Sequence, residues 1–322
     1  MTIALGLGGI VFGFVLLWKG GDLLTENASK LATLMNVPEL LIGLTVVAFG
    51  TSAPELVVAV YAAFQGNSDI VIGNVLGSNI ANTLLILGIS AFIAPIAFSN
   101  PIALKDLRLN WVTTLYLLGL IGGSIFLFGH GTIGKGIAGA LLLGFVTFML
   151  LIKPQKPNEE SEVKNSLETH SSSRLMMFGG LMLGLIGLMV GGRVVVDSIK
   201  MLTAVLGLSE VFLSLFLIAI GTSLPELVTS VIATRKGRYE LVIGNVLGSN
   251  MFNILLVLGI SGWVADIQIR PSLYCDGLLM GGALLLLSVL LLITPKQILS
   301  RSKGIVLLAT YITYIVAIFL RG

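Results

Sequence analysis

Charge is confined to short breaks between long apolar runs. Runs free of Asp, Glu, Lys and Arg cover 1–18, 40–54, 56–68, 70–104, 109–134, 136–152, 175–192, 211–225, 227–234, 241–265, 277–295 and 304–320. Two neighbouring pairs of runs are separated only by Glu55 and Glu226. Merging those pairs leaves ten segments, and a bilayer core needs about 20 apolar residues per helix. The pattern predicts an all-α polytopic membrane protein with ten transmembrane helices. The first run has no basic residue before it and no small-residue cleavage site before Lys19, so it reads as a span and not as a signal peptide.

Composition agrees and removes other classes. Hydrophobic residues make up 56% of the 322 positions and charged residues 11%, against about 25% charged in soluble domains. Mean hydropathy is +1.02. A net charge of +3 makes no basic footprint for nucleic acid. One cysteine, Cys275, and two histidines, His130 and His170, leave no disulfide framework and little room for zinc chemistry. No H-E-x-x-H motif or mid-span histidine supports an intramembrane enzyme. Fourteen of the 19 Lys and Arg follow odd-numbered spans and five follow even-numbered ones. The positive-inside bias predicts a multi-pass protein of the cell membrane with both termini extracytoplasmic. The polar stretch 153–174 reads as a flexible cytoplasmic linker.

An internal repeat organises the chain. Val71–Asn79, VIGNVLGSN, recurs unchanged as Val242–Asn250, at an offset of 171. At the same offset Gly50-Thr51-Ser52-Ala53-Pro54-Glu55 matches Gly221-Thr222-Ser223-Leu224-Pro225-Glu226, and Asn82 matches Asn253. Residues 1–152 and 175–322 each hold five predicted spans. An odd count makes the second half enter from the opposite face, giving two inverted-topology repeats of five, a plan common in secondary transporters.

Glu55 and Glu226 are the only charges inside apolar spans. A carboxylate at membrane depth is costly and marks a functional site by default. Pro54 and Pro225 each lack an N–H and clash with the carbonyl four residues back. The helix should therefore break there, exposing carbonyls from about Ala48 to Thr51 and from Ala219 to Thr222. Thr51 and Ser52 share a helix face with Glu55, as Thr222 and Ser223 do with Glu226. In the second motif Ser78 and Asn82 share a face, as do Ser249 and Asn253. Hydroxyls, amides, carbonyls and carboxylates are hard oxygen ligands, suited to Ca²⁺ and similar cations. Asn79 and Asn250 read as helix-to-helix bonds, and Asp69 and Glu240 as first-turn acids. The G-x-x-x-G pairs Gly73/Gly77 and Gly244/Gly248 read as close-packing sites.

The motifs G-T-S-x-P-E and G-S-N-x-x-N, each present twice, resemble the alpha repeats of the cation/calcium exchanger superfamily, in its prokaryotic sodium/calcium antiporter type. The resemblance covers nearly the whole chain and is strongest at 43–91 and 214–262. It implies Na⁺/Ca²⁺ exchange at a site between the second, third, seventh and eighth spans, with no cofactor and no obligate protein partner beyond membrane lipid. It carries liganding roles to the carbonyls of Ala48 and Ala219 and to Thr51, Ser52, Glu55, Thr222, Ser223, Glu226, Ser78, Ser249, Asn82 and Asn253. A proton-coupled exchanger using Glu55 or Glu226 as proton carrier is the alternative, and a passive channel a more distant one. Alternating access would move the first and sixth spans across this core. Gly6, Gly8, Gly9 and Gly13 with Gly179, Gly180, Gly184 and Gly187 offer small faces for sliding or for static packing.

Some family members have an acid where this chain has Asn253, and potassium-dependent members an Asp. Asn253→Asp is therefore expected to make transport pH-dependent, through repulsion of a third carboxylate by two others, and sensitive to potassium. A pH profile and ion dependence equal to wild type would put Asn253 outside the site.

Overall fold

The computed structural model describes residues 2–98, 107–108, 110–112, 114–115, 131–152, 174–206, 221–293 and 297–321. The helices are α1 (Thr2–Met35), α2 (Glu39–Thr51), α3 (Ala53–Phe64), α4 (Ser68–Ile93), α5 (Lys135–Leu151), α6 (Arg174–Leu206), α7 (Leu224–Arg235), α8 (Tyr239–Val264), α9 (Tyr274–Leu292) and α10 (Arg301–Arg321). Among the described residues six helices are long and apolar enough to cross a membrane, or seven when the bent pair α2–α3 counts as one span. The predicted fourth span, the linker and Ala219 lie outside the described residues, apart from a few positions at the edges of that span and Arg174.

The helices sort by burial. In the apolar window of α8, 94% of residues are buried, and in α4 83%, whereas α1 has 22% and α10 28%. The duplicated VIGNVLGSN helices are thus the centre of the molecule, and α1, α6, α9 and α10 present apolar side chains outward. Phe252 of α8 meets Phe49 of α2 and Phe145 of α5 at ring separations of 5.7 and 5.2 Å.

Two elements differ from the sequence expectation. α1 runs on past Lys19 through Asp22, Glu26 and Lys30 to Met35, and α6 past Arg193 to Leu206. Charge marks where the bilayer ends, and charged residues such as Lys and Glu are themselves good helix formers, so these helices project beyond the apolar layer. The fold is also not purely helical. Two short antiparallel ribbons pair β1 (Ile96–Ala97) with β4 (Ile298–Leu299) and β2 (Gly131–Ile133) with β3 (Ile267–Ile269). They satisfy backbone groups where the chain leaves helices α4 and α8 in extended conformation at Ala94 and Ala265.

Glycines decide the closest approaches. Gly244 and Gly248 of α8 lie against the backbone of α2 at Leu40 and Leu44. The reading of this G-x-x-x-G as a packing site holds there; the matching positions beside Gly73 and Gly77 include residues outside those described. Gly13 and Gly20 of α1 meet Gly184, Gly187 and Gly191 of α6 backbone to backbone, at 2.8–3.1 Å from a Cβ built on the glycine. Of the glycines read as faces for sliding or for static packing, Gly13, Gly184 and Gly187 pack α1 against α6. Small size alone does not say which neighbour a helix meets.

A methyl group at Gly244 would lie 2.7 Å from the Leu44 amide nitrogen and closer still to the Leu40 carbonyl oxygen. Both are backbone atoms that cannot rotate away. Gly244→Ala should destabilise the protein by about 1–3 kcal/mol or more, read as a lowered thermal midpoint in detergent. Gly8→Ala, exposed and with nothing described within 4 Å, should leave the midpoint unchanged or slightly raised.

Candidate cation site

Each half breaks a helix to deliver one carboxylate. Ser52 leaves helical geometry at φ −83°, ψ 4°, and Ser223 does the same at φ −86°, ψ 7°. Pro54 and Pro225 then start α3 and α7, positions where a missing N–H costs nothing. The bend between α2 and α3 is 43°. Glu55 and Glu226 fall in the first turn of the new helices, where the positive end of the helix dipole favours an anion. Both are essentially fully buried.

The break does not free every carbonyl that the prolines suggest. The Ala48 carbonyl accepts the Ser52 N–H at 3.0 Å and lies 3.4 Å from the Thr51 hydroxyl. It retains lone-pair capacity, but it is not an orphan.

The contacts run between the halves, and in reciprocal pairs. Ser52 Oγ donates to Glu226 Oε1 at 3.0 Å, and Ser223 Oγ donates to Glu55 Oε1 at 3.4 Å. Thr51 Oγ1 lies 3.1 Å from Asn245 Oδ1, and Thr222 Oγ1 3.4 Å from Asn74 Oδ1. Asn82 Nδ2 donates to Asn250 Oδ1 at 3.1 Å, and Asn253 Nδ2 to Asn79 Oδ1 at 3.0 Å. Ser78 Oγ adds a bond to Glu55 Oε1 at 3.4 Å. The helix-to-helix reading of Asn79 and Asn250 is what the structure has.

These bonds leave a specific remainder. Among the described residues, Glu55 Oε2, Glu226 Oε2, Asn82 Oδ1 and Asn253 Oδ1 are buried without a hydrogen-bond partner, and Ser249 Oγ, beside Glu226, makes no hydrogen bond of ordinary length. Asn82 and Asn253 sit on π-helical turns, Ala81–Ile86 and Phe252–Val257, a distortion often found at functional sites. Their amide nitrogens are held by the opposite half, which leaves the oxygens unengaged. A buried unpaired acceptor is costly, and five among ten candidate side chains is a concentration that calls for a ligand. Among the described residues no Lys or Arg pairs with either glutamate. Nor do three or more His, Cys, Asp or Glu cluster there. The arrangement has two carboxylates and several neutral oxygens, which suits a hard cation and not a soft transition metal.

Asn74 and Asn245 escaped the sequence reading. Asn74 Nδ2 donates to the Glu55 carbonyl at 3.0 Å, and Asn245 Nδ2 to Ser230 Oγ at 3.2 Å. The available signal was spacing, since Asn74, Ser78 and Asn82 recur every four residues on one helix face, as do Asn245, Ser249 and Asn253.

Apolar helices around a buried cluster of oxygens define a multi-pass membrane protein with a site suited to a hard cation. The chain belongs to the sodium/calcium exchanger protein family, whose model matches residues 5–153 and 176–320. It is 31% identical to the sodium/calcium exchanger MaX1 of Methanosarcina acetivorans, over 96% of this chain and 97% of that one. It is 35% identical to the inner membrane protein YrbG of Escherichia coli, over 82% of each. The fold matches a structure of the sodium-calcium exchanger NCX_Mj soaked with 10 mM Na⁺ at a TM-score of 0.82, with 29% identity, covering 98% of this chain and 99% of that one.

Asn74→Ala and Asn245→Ala each strip a threonine of its cross-half partner and leave buried polar groups unpaired. Each should weaken apparent cation affinity by roughly tenfold, the equivalent of about 1.4 kcal/mol, with the folded yield retained. Isothermal titration or a thermal-shift series against cation concentration would measure it, and affinities equal to wild type would remove both amides from the site.

Proposed function

We propose that the protein exchanges Na⁺ for Ca²⁺ across the cell membrane by alternating access at one shared site. The observation that carries this reading is the set of five buried oxygens on Glu55, Glu226, Asn82, Asn253 and Ser249 that lack a hydrogen-bond partner among the described residues. Ca²⁺ takes six to eight oxygen ligands, and two carboxylates neutralise its charge. The remaining ligands come from Thr51, Ser52, Thr222, Ser223 and Ser78 and from the carbonyls of Ala48 and Ala219. Na⁺ uses the same oxygens at separate positions, so each ion displaces the other. Competition for one ligand set couples the two fluxes.

The same reading has ten spans in two inverted halves, 1–152 and 175–322, joined by a cytoplasmic linker at 153–174, with both termini extracytoplasmic. The basic turn Arg235–Arg238 is then cytoplasmic. The names of MaX1 and NCX_Mj support the ion pair, and that of YrbG supports the inner membrane. α1 and α6 contribute none of the proposed ligands and are packed to one another through glycine. They move as one unit against the ligand-bearing helices.

The test is calcium uptake into vesicles driven by a sodium gradient, in potassium-free buffer with pH clamped. Glu55→Gln or Glu226→Gln removes one of two charges facing a divalent ion and should lower uptake by roughly two orders of magnitude, with normal insertion. Wild-type flux in either variant refutes the site. Uptake driven by a pH gradient in the absence of sodium would replace this reading with proton-coupled exchange.

A further inference from the structure

The repeat makes its two ends comparable residue by residue, and one contact breaks the match. The turn after α7, Arg235-Lys236-Gly237-Arg238, corresponds at offset 171 to the turn after α3, Phe64-Gln65-Gly66-Asn67. Both turns have the same backbone, with Gly237 at φ +72° and Gly66 at φ +70°, a left-handed geometry that glycine adopts freely. Their side chains act differently. Asn67 caps its own helix by accepting the Ile70 N–H at 3.3 Å. Arg238, at the equivalent place, makes no cap and reaches across to Ser29 of α1 and Glu39 of α2. Lys236 pairs with Asp22 of α1 at 2.5 Å. The Arg235 guanidinium stands 5.2 Å from the ring centre of Trp18.

Trp18, Asp22 and Ser29 share one face of α1, at spacings of four and seven residues. Three cations of a single turn therefore grip one stripe of the helix. The corresponding positions on α6 are Met189, Arg193 and Lys200. None of the three is acidic, and Arg193 pairs along its own helix with Asp197 at 3.6 Å. Among the described residues, the repeat-related positions of α6 and of the turn after α3 make no such grip.

We infer that this charge clasp, built from Asp22, Ser29 and Glu39 against Lys236 and Arg238, sets the balance between the two access states. Two halves of equal sequence would make opening at either end equally costly. The clasp ties α1 to the ligand-bearing helices at the end of Arg235–Arg238, so opening that end requires parting the Lys236–Asp22 ion pair and the Arg238–Ser29 hydrogen bond, while Glu39 of α2 holds Arg238 in place. It acts as a bias on the alternation and as the point where ionic strength acts on it. The inference rests on the alternating-access reading above.

The probe is a thiol introduced by Thr229→Cys in a Cys275→Ser background. Thr229 is buried one turn beyond Glu226, on α7 between that glutamate and the basic turn. Its labelling by a membrane-impermeant maleimide is followed from the Arg238 side of oriented vesicles, without Na⁺ or Ca²⁺. Asp22→Lys and Lys236→Asp should each speed labelling by about three- to tenfold, from the worth of a partly exposed pair plus the repulsion that replaces it. The double exchange Asp22→Lys/Lys236→Asp should return the rate toward the parent value. In the parent, raising choline chloride from about 0.05 to about 0.5 M should speed labelling through screening, a readout that needs no charge variant to fold. Single variants that label like the parent, a double exchange that stays fast, or a rate indifferent to salt would each overturn the clasp. Absence of sodium–calcium exchange in the wild type would instead overturn the functional reading, and the labelling rates would still be measurable.

Discussion

Two carboxylates lie buried in an apolar layer, and much of the architecture answers that cost. Charge in a low-dielectric interior persists only with hydrogen bonds, opposite charge or a metal ion around it. Glu55 and Glu226 have no basic partner among the described residues. They have the N-terminal ends of α3 and α7 and hydroxyls from serines of both halves. Those helix ends exist because Ser52-Ala53-Pro54 and Ser223-Leu224-Pro225 interrupt the spans. Such breaks survive at membrane depth only inside protein. This explains why α4 and α8, which seal the breaks, are the most buried helices, and why α8 can approach α2 only through Gly244 and Gly248.

What the sequence made legible was whatever stands out against an apolar background. A lone glutamate in an uncharged run, beside a proline and repeated 171 residues later, needs no coordinates to be noticed. Asn74 and Asn245 were present in the same repeated motif, yet polar residues in a glycine-rich helix read equally well as packing contacts. Their importance lies in partners 148 to 194 positions away. The extent of α1 was misjudged because Lys19 and Asp22 mark the edge of the apolar layer and not the end of the helix. The glycines of α1 and α6 were visible as small residues, but their partner was not. The ribbons are two or three residues long, too short for a period-two pattern to register.

α1 illustrates how one helix serves three neighbours by position along its length. Gly13 and Gly20 take the α6 backbone, Gly21 takes Val228 and Ile232 of α7, and the stripe from Trp18 to Ser29 takes the basic turn. The first contact is backbone against backbone and rigid. The others are side-chain contacts with smaller reorganisation cost. A helix pair joined firmly to itself and more softly to its surroundings is suited to moving as one body.

The reciprocal hydrogen bonds have a consequence for how such a chain could arise. Ser52 to Glu226 is mirrored by Ser223 to Glu55, and Asn82 to Asn250 by Asn253 to Asn79. Exchanging the halves maps this network onto itself, which is the defining property of an isologous interface between identical subunits. Neither half satisfies these groups alone, whereas two copies of one half satisfy them mutually. Within one chain the two copies need not stay identical: the outer surfaces can differ, while the interior remains constrained because each half holds the other's polar groups.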